Sequence, residues 1–152
     1  MTRPRLIIFA KAPIMGRAKT RLAADIGPVH AQRIYRAMTA RILRNLQSPK
    51  WDTVLAVTPA QWLGAIPAWN GAAQYAQVSG SLSPRLMQAF DRKAPTLVIG
   101  TDSPQITRAD IGTGFDALRS HAAVFGPADD GGFWLMGLCL PIFYKNRPTA
   151  CR

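Results

Sequence analysis

The run Leu6-Ile7-Ile8-Phe9-Ala10 is apolar at every position and is closed at once by Lys11. A half-buried strand alternates apolar and polar residues, whereas a strand covered on both faces reads as continuously apolar. The opening run therefore predicts a central strand with helices packed on both sides of its sheet. Residues 28–47 change to the helical period: Ile34/Tyr35, Met38, Ile42 and Leu46 share one face, and Arg33, Arg36, Arg41 and Arg44 another. Further strands are expected at 53–58, 75–78, 96–100, 122–125 and 133–138, with a helix starting near 84 and another over about 107–120. Strands alternating with helices predict a three-layer α/β sandwich around a mostly parallel sheet.

A chain of 152 residues is the size of one domain, taken here as 1–152, and can bury a core without metal or disulfide staples. With 48% apolar and 18% charged residues the disordered class is excluded. The two cysteines, Cys139 and Cys151, form no CxxC pattern, so neither a zinc site nor a disulfide framework is suggested and a reducing cytoplasm is expected. The apolar run at 6–10 is too short for a secretory signal. The stretch 133–144 is interrupted by Pro141 and falls short of the roughly 18 residues a spanning helix needs.

All 8 acidic residues are Asp, so any catalytic or metal-binding carboxylate must be an Asp. The net charge of +11 is placed unevenly: residues 1–50 hold 11 basic side chains and one acid, residues 51–152 hold 8 and 7. An anionic partner is expected for the N-terminal third.

Three loops follow predicted strands at their C-terminal ends, where open α/β sheets bind ligands. The first, residues 11–21, carries Lys11, Gly16, Arg17, Lys19 and Arg21. Arg forks and Lys point charges with loop amides suit a nucleoside di- or triphosphate, although a solvated basic loop reads equally well. A Walker A loop is excluded, because that motif needs Gly where Pro13 and Ala18 stand. The second, Gly100-Thr101-Asp102-Ser103-Pro104, places Asp102 where one carboxylate could hold Mg²⁺; an isolated Asp there more often caps its own turn. The third, Gly126-Pro127-Ala128-Asp129-Asp130-Gly131-Gly132, could bring a carboxylate to a metal or a sugar hydroxyl, or could be a plain hairpin turn. His30 and His121 read as surface or capping residues, and the four tryptophans as packing residues, with Trp62 and Trp69 the two that could cover a base.

Taken together, residues 9–13 (Phe-Ala-Lys-Ala-Pro), Gly16, Lys19-Thr20-Arg21-Leu22, Gly100 to Pro104, Gly126-Pro127-Ala128 and Asp130-Gly131-Gly132-Phe133 resemble a bacterial family of GT-A-type glycosyltransferase-like proteins. The chain is similar more remotely to the 2-phospholactate and molybdenum cofactor guanylyltransferases. The resemblance implies a nucleotide-diphospho-sugar transferase fold and a metal-dependent transferase using a nucleotide sugar, or in the alternative a nucleoside triphosphate in nucleotidyl transfer. It implies phosphate contacts from Lys11, Gly16, Lys19 and Arg21, Mg²⁺ or Mn²⁺ at Asp102, and Asp130 as a second acidic position near metal or acceptor. Gln77, Gly80, Leu82 and Arg85 match a segment that lies near the nucleotide in that family, while Val78, Ser81 and Ser83 stand where Gly, Asp and Gly are usual.

The acceptor would be a small molecule. The resembled family continues past the Gly-Gly-aromatic strand, so the chain is expected to be truncated at its C-terminus and to self-associate through the apolar stretch 133–144. A second alternative is a noncatalytic polyanion- or nucleic-acid-binding module, suggested by the arginines of residues 33–44. The basic segment has little aromatic interleaving for base stacking, which argues against nucleic acid.

Overall fold

A computed structural model describes residues 2–90 and 94–139. Six strands form one sheet: β1 (Arg5–Lys11), β2 (Asp52–Thr58), β3 (Ala73–Ala76), β4 (Thr96–Ile99), β5 (Ala123–Pro127) and β6 (Phe133–Leu138), in the order β3-β2-β1-β4-β6-β5. β1 pairs in parallel with β2 and β4, and β2 with β3; β6 runs antiparallel to both β4 and β5. The sheet is therefore mostly parallel, with one reversed strand.

The continuous apolar run is explained by burial on both faces. Leu6, Ile8 and Ala10 of β1 join Leu55, Val57, Leu97 and Ile99 in one cluster, closed by helices α2 (Pro28–Asn45) and α4 (Arg108–Leu118) through Ile42, Leu43, Ile111 and Leu118. Ile7, Ala56 and Val98 point the other way, toward Ala89 of helix α3 (Leu82–Ala89) and Phe90. Helices thus cover both faces, and the expected three layers are present. A short helix α1 (Thr20–Ile26) packs against α2. It was not legible as a helix, and it turns the end of the basic loop into its first turn.

The third strand lies two residues earlier than expected, at Ala73–Ala76, because the ladder with β2 ends at Val57↔Ala76. Residues 133–138 form an interior strand, with Leu135 and Gly137 buried, Trp134, Met136 and Leu138 partly buried and Phe133 exposed. A Cβ at Gly137 would run into Leu97 Cδ2 and Val124 Cγ1, so glycine lets β6 lie this close without displacing either side chain. Residues 140–144 of that stretch, and Cys151, fall outside the described residues. Cys139 is buried and is not a free thiol, which the lack of a CxxC pattern did not foretell.

Trp51 and Trp69 are buried in the larger cluster, and Trp62 and Trp134 pack against it, so all four are packing residues. His30 is exposed, and His121 Nδ1 lies 3.1 Å from Ala117 O at the end of α4, a capping position. No helix among the described residues is long and apolar enough to cross a membrane.

Candidate functional site

β1 has β2 on one side and β4 on the other, so the chain's strand order reverses at the β1/β4 boundary. In open α/β sheets the crevice at such a point, beyond the carboxyl ends of the strands, is where ligands bind. A cleft of about 850 Å³ lies there, lined by Lys11, Arg17, Lys19, Arg21 and Arg85 with Asp102 as its one carboxylate. Five of the eight candidate residues from the sequence are thus brought together: Lys11, Lys19, Arg21, Arg85 and Asp102. Gly16 and Gly80 are exposed outside its lining, and both have positive φ, 75° and 106°, a backbone region that glycine enters without cost.

The basic loop is a built element. Ala12 and Ala18 are buried at its two ends. Ala12 N donates to Thr58 O at 2.8 Å, Arg17 N to Ile14 O at 3.1 Å, and Gln32 Nε2 on α2 donates to Pro13 O at 2.6 Å. Among the described residues Lys19 is the one non-glycine with positive φ, at 54°, in the position that caps α1. A non-glycine residue persists in that region only where its surroundings hold it there. The Lys19 ammonium is ion-paired with Asp102, its own side chain 25% exposed and that of Asp102 78% exposed. A pair so open to water is worth about 1 kcal/mol or less, so either charge is cheaply released to another partner.

Two polar atoms in the cleft wall have no hydrogen-bond partner among the described residues: Gln77 Oε1 and Arg85 Nε. Gln77 is buried, and its amide orientation is set by Nε2 donating to Ala56 O at 2.6 Å. The wall therefore presents one acceptor and one donor whose burial without partners is costly.

Asp130 is placed differently. It is exposed in the β5–β6 hairpin turn, where its Oδ1 accepts from Gly132 N at 3.0 Å and Ala128 N donates to Gly132 O at 3.0 Å. The turn lies at the same edge of the sheet as the cleft, but Asp130 does not line it. No group of three or more His, Cys or Asp side chains able to hold a metal occurs among the described residues. A second hollow, about 600 Å³ at the opposite end of the sheet, is bordered by Arg3 and Asp52, which neutralise each other at 3.1 Å.

Sequence reasoning missed Tyr35. Its place on the apolar face of α2 predicts a packing residue, and its ring is buried, but its hydroxyl bonds to both N and O of Lys11 and to Thr101. A lone tyrosine on an apolar stripe carries no local sign of such a role.

Sheet order and layers are those of a nucleotide-diphospho-sugar transferase fold, as superposition on a solved protein so described shows. The chain belongs to the family described as an uncharacterized protein conserved in bacteria, DUF2064, whose profile matches residues 41–148. That match includes Arg85, Asp102 and Asp130 and excludes the basic loop. No curated protein matches the chain. A protein of Desulfovibrio desulfuricans G20, provisionally described as a nucleotide-diphospho-sugar transferase, superposes with a TM-score of 0.83 at 27% identity over 91% of this chain. This chain spans 64% of that protein's length. The 4-diphosphocytidyl-2C-methyl-D-erythritol synthase of Anaerococcus prevotii DSM 20548 superposes with a TM-score of 0.53 at 11% identity, over 90% of this chain and 70% of its own, and so shares the fold.

Proposed function

We propose that the cleft binds the diphosphate of a nucleotide sugar together with Mg²⁺ or Mn²⁺, as the donor site of a transferase that passes the sugar to a small-molecule acceptor. The observation that carries this reading is the gathering of Lys11, Arg17, Lys19, Arg21 and Arg85 around Asp102 at the point where strand order reverses. The Desulfovibrio protein, similar over nearly all of this chain, supports the same class.

The donor set suits a particular kind of cation. With one carboxylate in the cleft, the protein offers too little for a fully protein-bound metal, but enough for one that keeps several waters and takes its other ligands from phosphate. Asp102 is the residue to hold it, and when bound the cation supplies positive charge to the departing diphosphate. Lys19, once parted from Asp102, and Arg21 donate charge-assisted hydrogen bonds to phosphate oxygens, and Lys11 adds a third cation. Gln77 Oε1 and Arg85 Nε offer an acceptor and a donor to the remainder of the nucleotide. In the transfer, the bond between the sugar's anomeric carbon and the phosphate oxygen breaks, its electron pair leaving with the diphosphate, while an acceptor hydroxyl oxygen bonds to that carbon and its proton passes to solvent. Asp130 is the second carboxylate proposed for the acceptor side; Gly132 engages its Oδ1.

The same cations would serve a nucleotidyl transfer, in which a substrate oxygen attacks the α-phosphorus and pyrophosphate leaves; the shared fold with the erythritol synthase favours keeping this alternative. Thermal-shift screening of nucleotide sugars and nucleoside triphosphates, with and without Mn²⁺, tests the proposal. Stabilisation by a nucleotide sugar that requires Mn²⁺ is expected, and released nucleoside diphosphate rather than pyrophosphate marks glycosyl transfer. Polyanion binding that ignores Mn²⁺ and falls steeply with salt would instead favour a binding module using the exposed Arg33, Arg36, Arg41 and Arg44.

A further inference from the structure

We infer that Tyr35 is a positioning residue that holds the phosphate-binding loop and the Asp102 loop in one fixed relation. The inference rests on the proposed use of the cleft and adds to it the part that couples its two halves.

The β1–β4 ladder runs from Arg5↔Thr96 to Ile8↔Ile99 and stops there. β1 continues to Lys11, paired only with β2, while the chain after Ile99 leaves the sheet toward Asp102. Beyond Ile8 and Ile99 the sheet itself no longer ties these segments, and the opening between them is the cleft. Tyr35 spans that opening from beneath. Lys11 N donates to its hydroxyl oxygen at 3.0 Å, the hydroxyl donates to Lys11 O at 2.7 Å, and Thr101 Oγ1 donates to the same oxygen at 3.4 Å. One hydroxyl thus bridges the two segments where the ladder stops, by two short bonds to Lys11 and a longer one to Thr101.

Three features suit it to positioning and not to chemistry. A hydroxyl has one donor and two acceptor sites, and all are used, so no capacity is left for a ligand. Tyr35 is 3% exposed, held on a helix of 18 residues whose buried face also includes Ala31, Thr39, Ile42 and Leu43. Its partners are the last residue of β1, where the basic loop begins, and the residue immediately before Asp102. Productive binding of a diphosphate with its cation needs the two loops at a fixed spacing, and small misplacements there are costly.

The test has two arms, both on the full chain. In Tyr35→Phe the ring still fills the core but the tie is lost. Before any nucleotide is added, the Lys11 amide should exchange with deuterium about tenfold faster or more, and amides 100–102 should also lose protection. By calorimetry with UDP and GDP, the factor by which Mn²⁺ tightens binding should fall about tenfold, while metal-free affinity changes little. Thr39→Val removes a buried hydroxyl from the same helix, one bonded to Tyr35 O, away from the loops. It should lower the melting temperature without changing that factor. Thr101→Val, which cuts one strand of the tie, serves if Tyr35→Phe does not fold.

Unchanged exchange at Lys11 and 100–102, or faster exchange with the Mn²⁺ factor intact, would overturn the inference. Should the unsubstituted protein bind neither nucleotide, the proposed function fails, and the exchange arm alone still decides whether Tyr35 joins the two loops.

Discussion

Asp102 and Asp130 both follow sheet strands in Gly- and Pro-containing loops, yet their surroundings differ in kind. Asp102 is joined to Lys19, 83 residues away in sequence, and the residue before it is joined to Tyr35, 66 residues away. Asp130 is joined to Gly132, two residues on, within a hairpin that is complete by itself. A carboxylate whose partner is local explains its own turn and needs nothing further. One held by distant parts of the chain lies where the fold has brought separate charges together, and those charges remain open to water and to a ligand. The contrast puts the β1 and β4 loops at the core of the proposed site and the β5–β6 turn at its margin.

The contrast can be broken most sharply at the phosphate contacts. Arg21→Ala or Lys19→Ala should weaken nucleoside diphosphate binding by about 2 to 5 kcal/mol if each charge meets a desolvated phosphate, measured by calorimetry with Mn²⁺ present. Unchanged affinity would place these residues on an ordinary solvated loop. Next in size is the frame that both loops share. Gly137→Ala forces a Cβ into Leu97 and Val124, and overpacking of this kind costs about 1 to 3 kcal/mol, readable in denaturant unfolding. A variant as stable as the parent would show that β6 can move away from β4 freely.

Smaller effects sharpen the distinction between local and long-range contacts. Thr107 caps α4 just after the Asp102 loop, its hydroxyl accepting from Asp110 N while Asp110 accepts from Thr107 N at 2.8 Å. Thr107→Ala should cost about 1 kcal/mol of stability with nucleotide affinity unchanged. Bonds from the Thr107 backbone and hydroxyl hold the Asp110 carboxyl below its ordinary 3.8. Because the folded value is the lower one, the stability it adds is present in full above the ordinary value and fades as pH falls through the lowered one. The gap between parent and Thr107→Ala should therefore narrow below roughly pH 4. Smallest is Asp130→Ala, which removes one exposed turn bond. A loss of about 0.5 to 1 kcal/mol in stability with donor binding intact is expected, and a large fall in donor affinity would move Asp130 from the margin into the site.

Much of this was legible in the sequence, and for definable reasons. β1, β2, β4, β6 and α2 announce themselves because continuous apolar runs and a helical apolar period report burial directly. β3 was shifted because its residues are only partly buried and its register is set by pairing with β2. α1 was hidden because it has no buried residues and its cap is Lys19 in the left-handed region, not a Ser, Thr, Asp or Asn. The candidate cations and Asp102 could be named from loop position, but their convergence could not, since it depends on sheet order. Tyr35 was invisible as a functional residue because hydrophobic periodicity sees its ring and not its hydroxyl.

The most direct measurement is calorimetric titration of UDP and GDP into the protein and into Asp102→Asn, each with and without Mn²⁺. Donor binding at the β1/β4 cleft through a cation on Asp102 predicts that Mn²⁺ tightens nucleotide binding in the parent. Asp102→Asn, with an unchanged melting temperature, should lose that tightening while retaining the weaker metal-free binding to Lys19 and Arg21. Equal Mn²⁺-dependent affinity in the two proteins would contradict it.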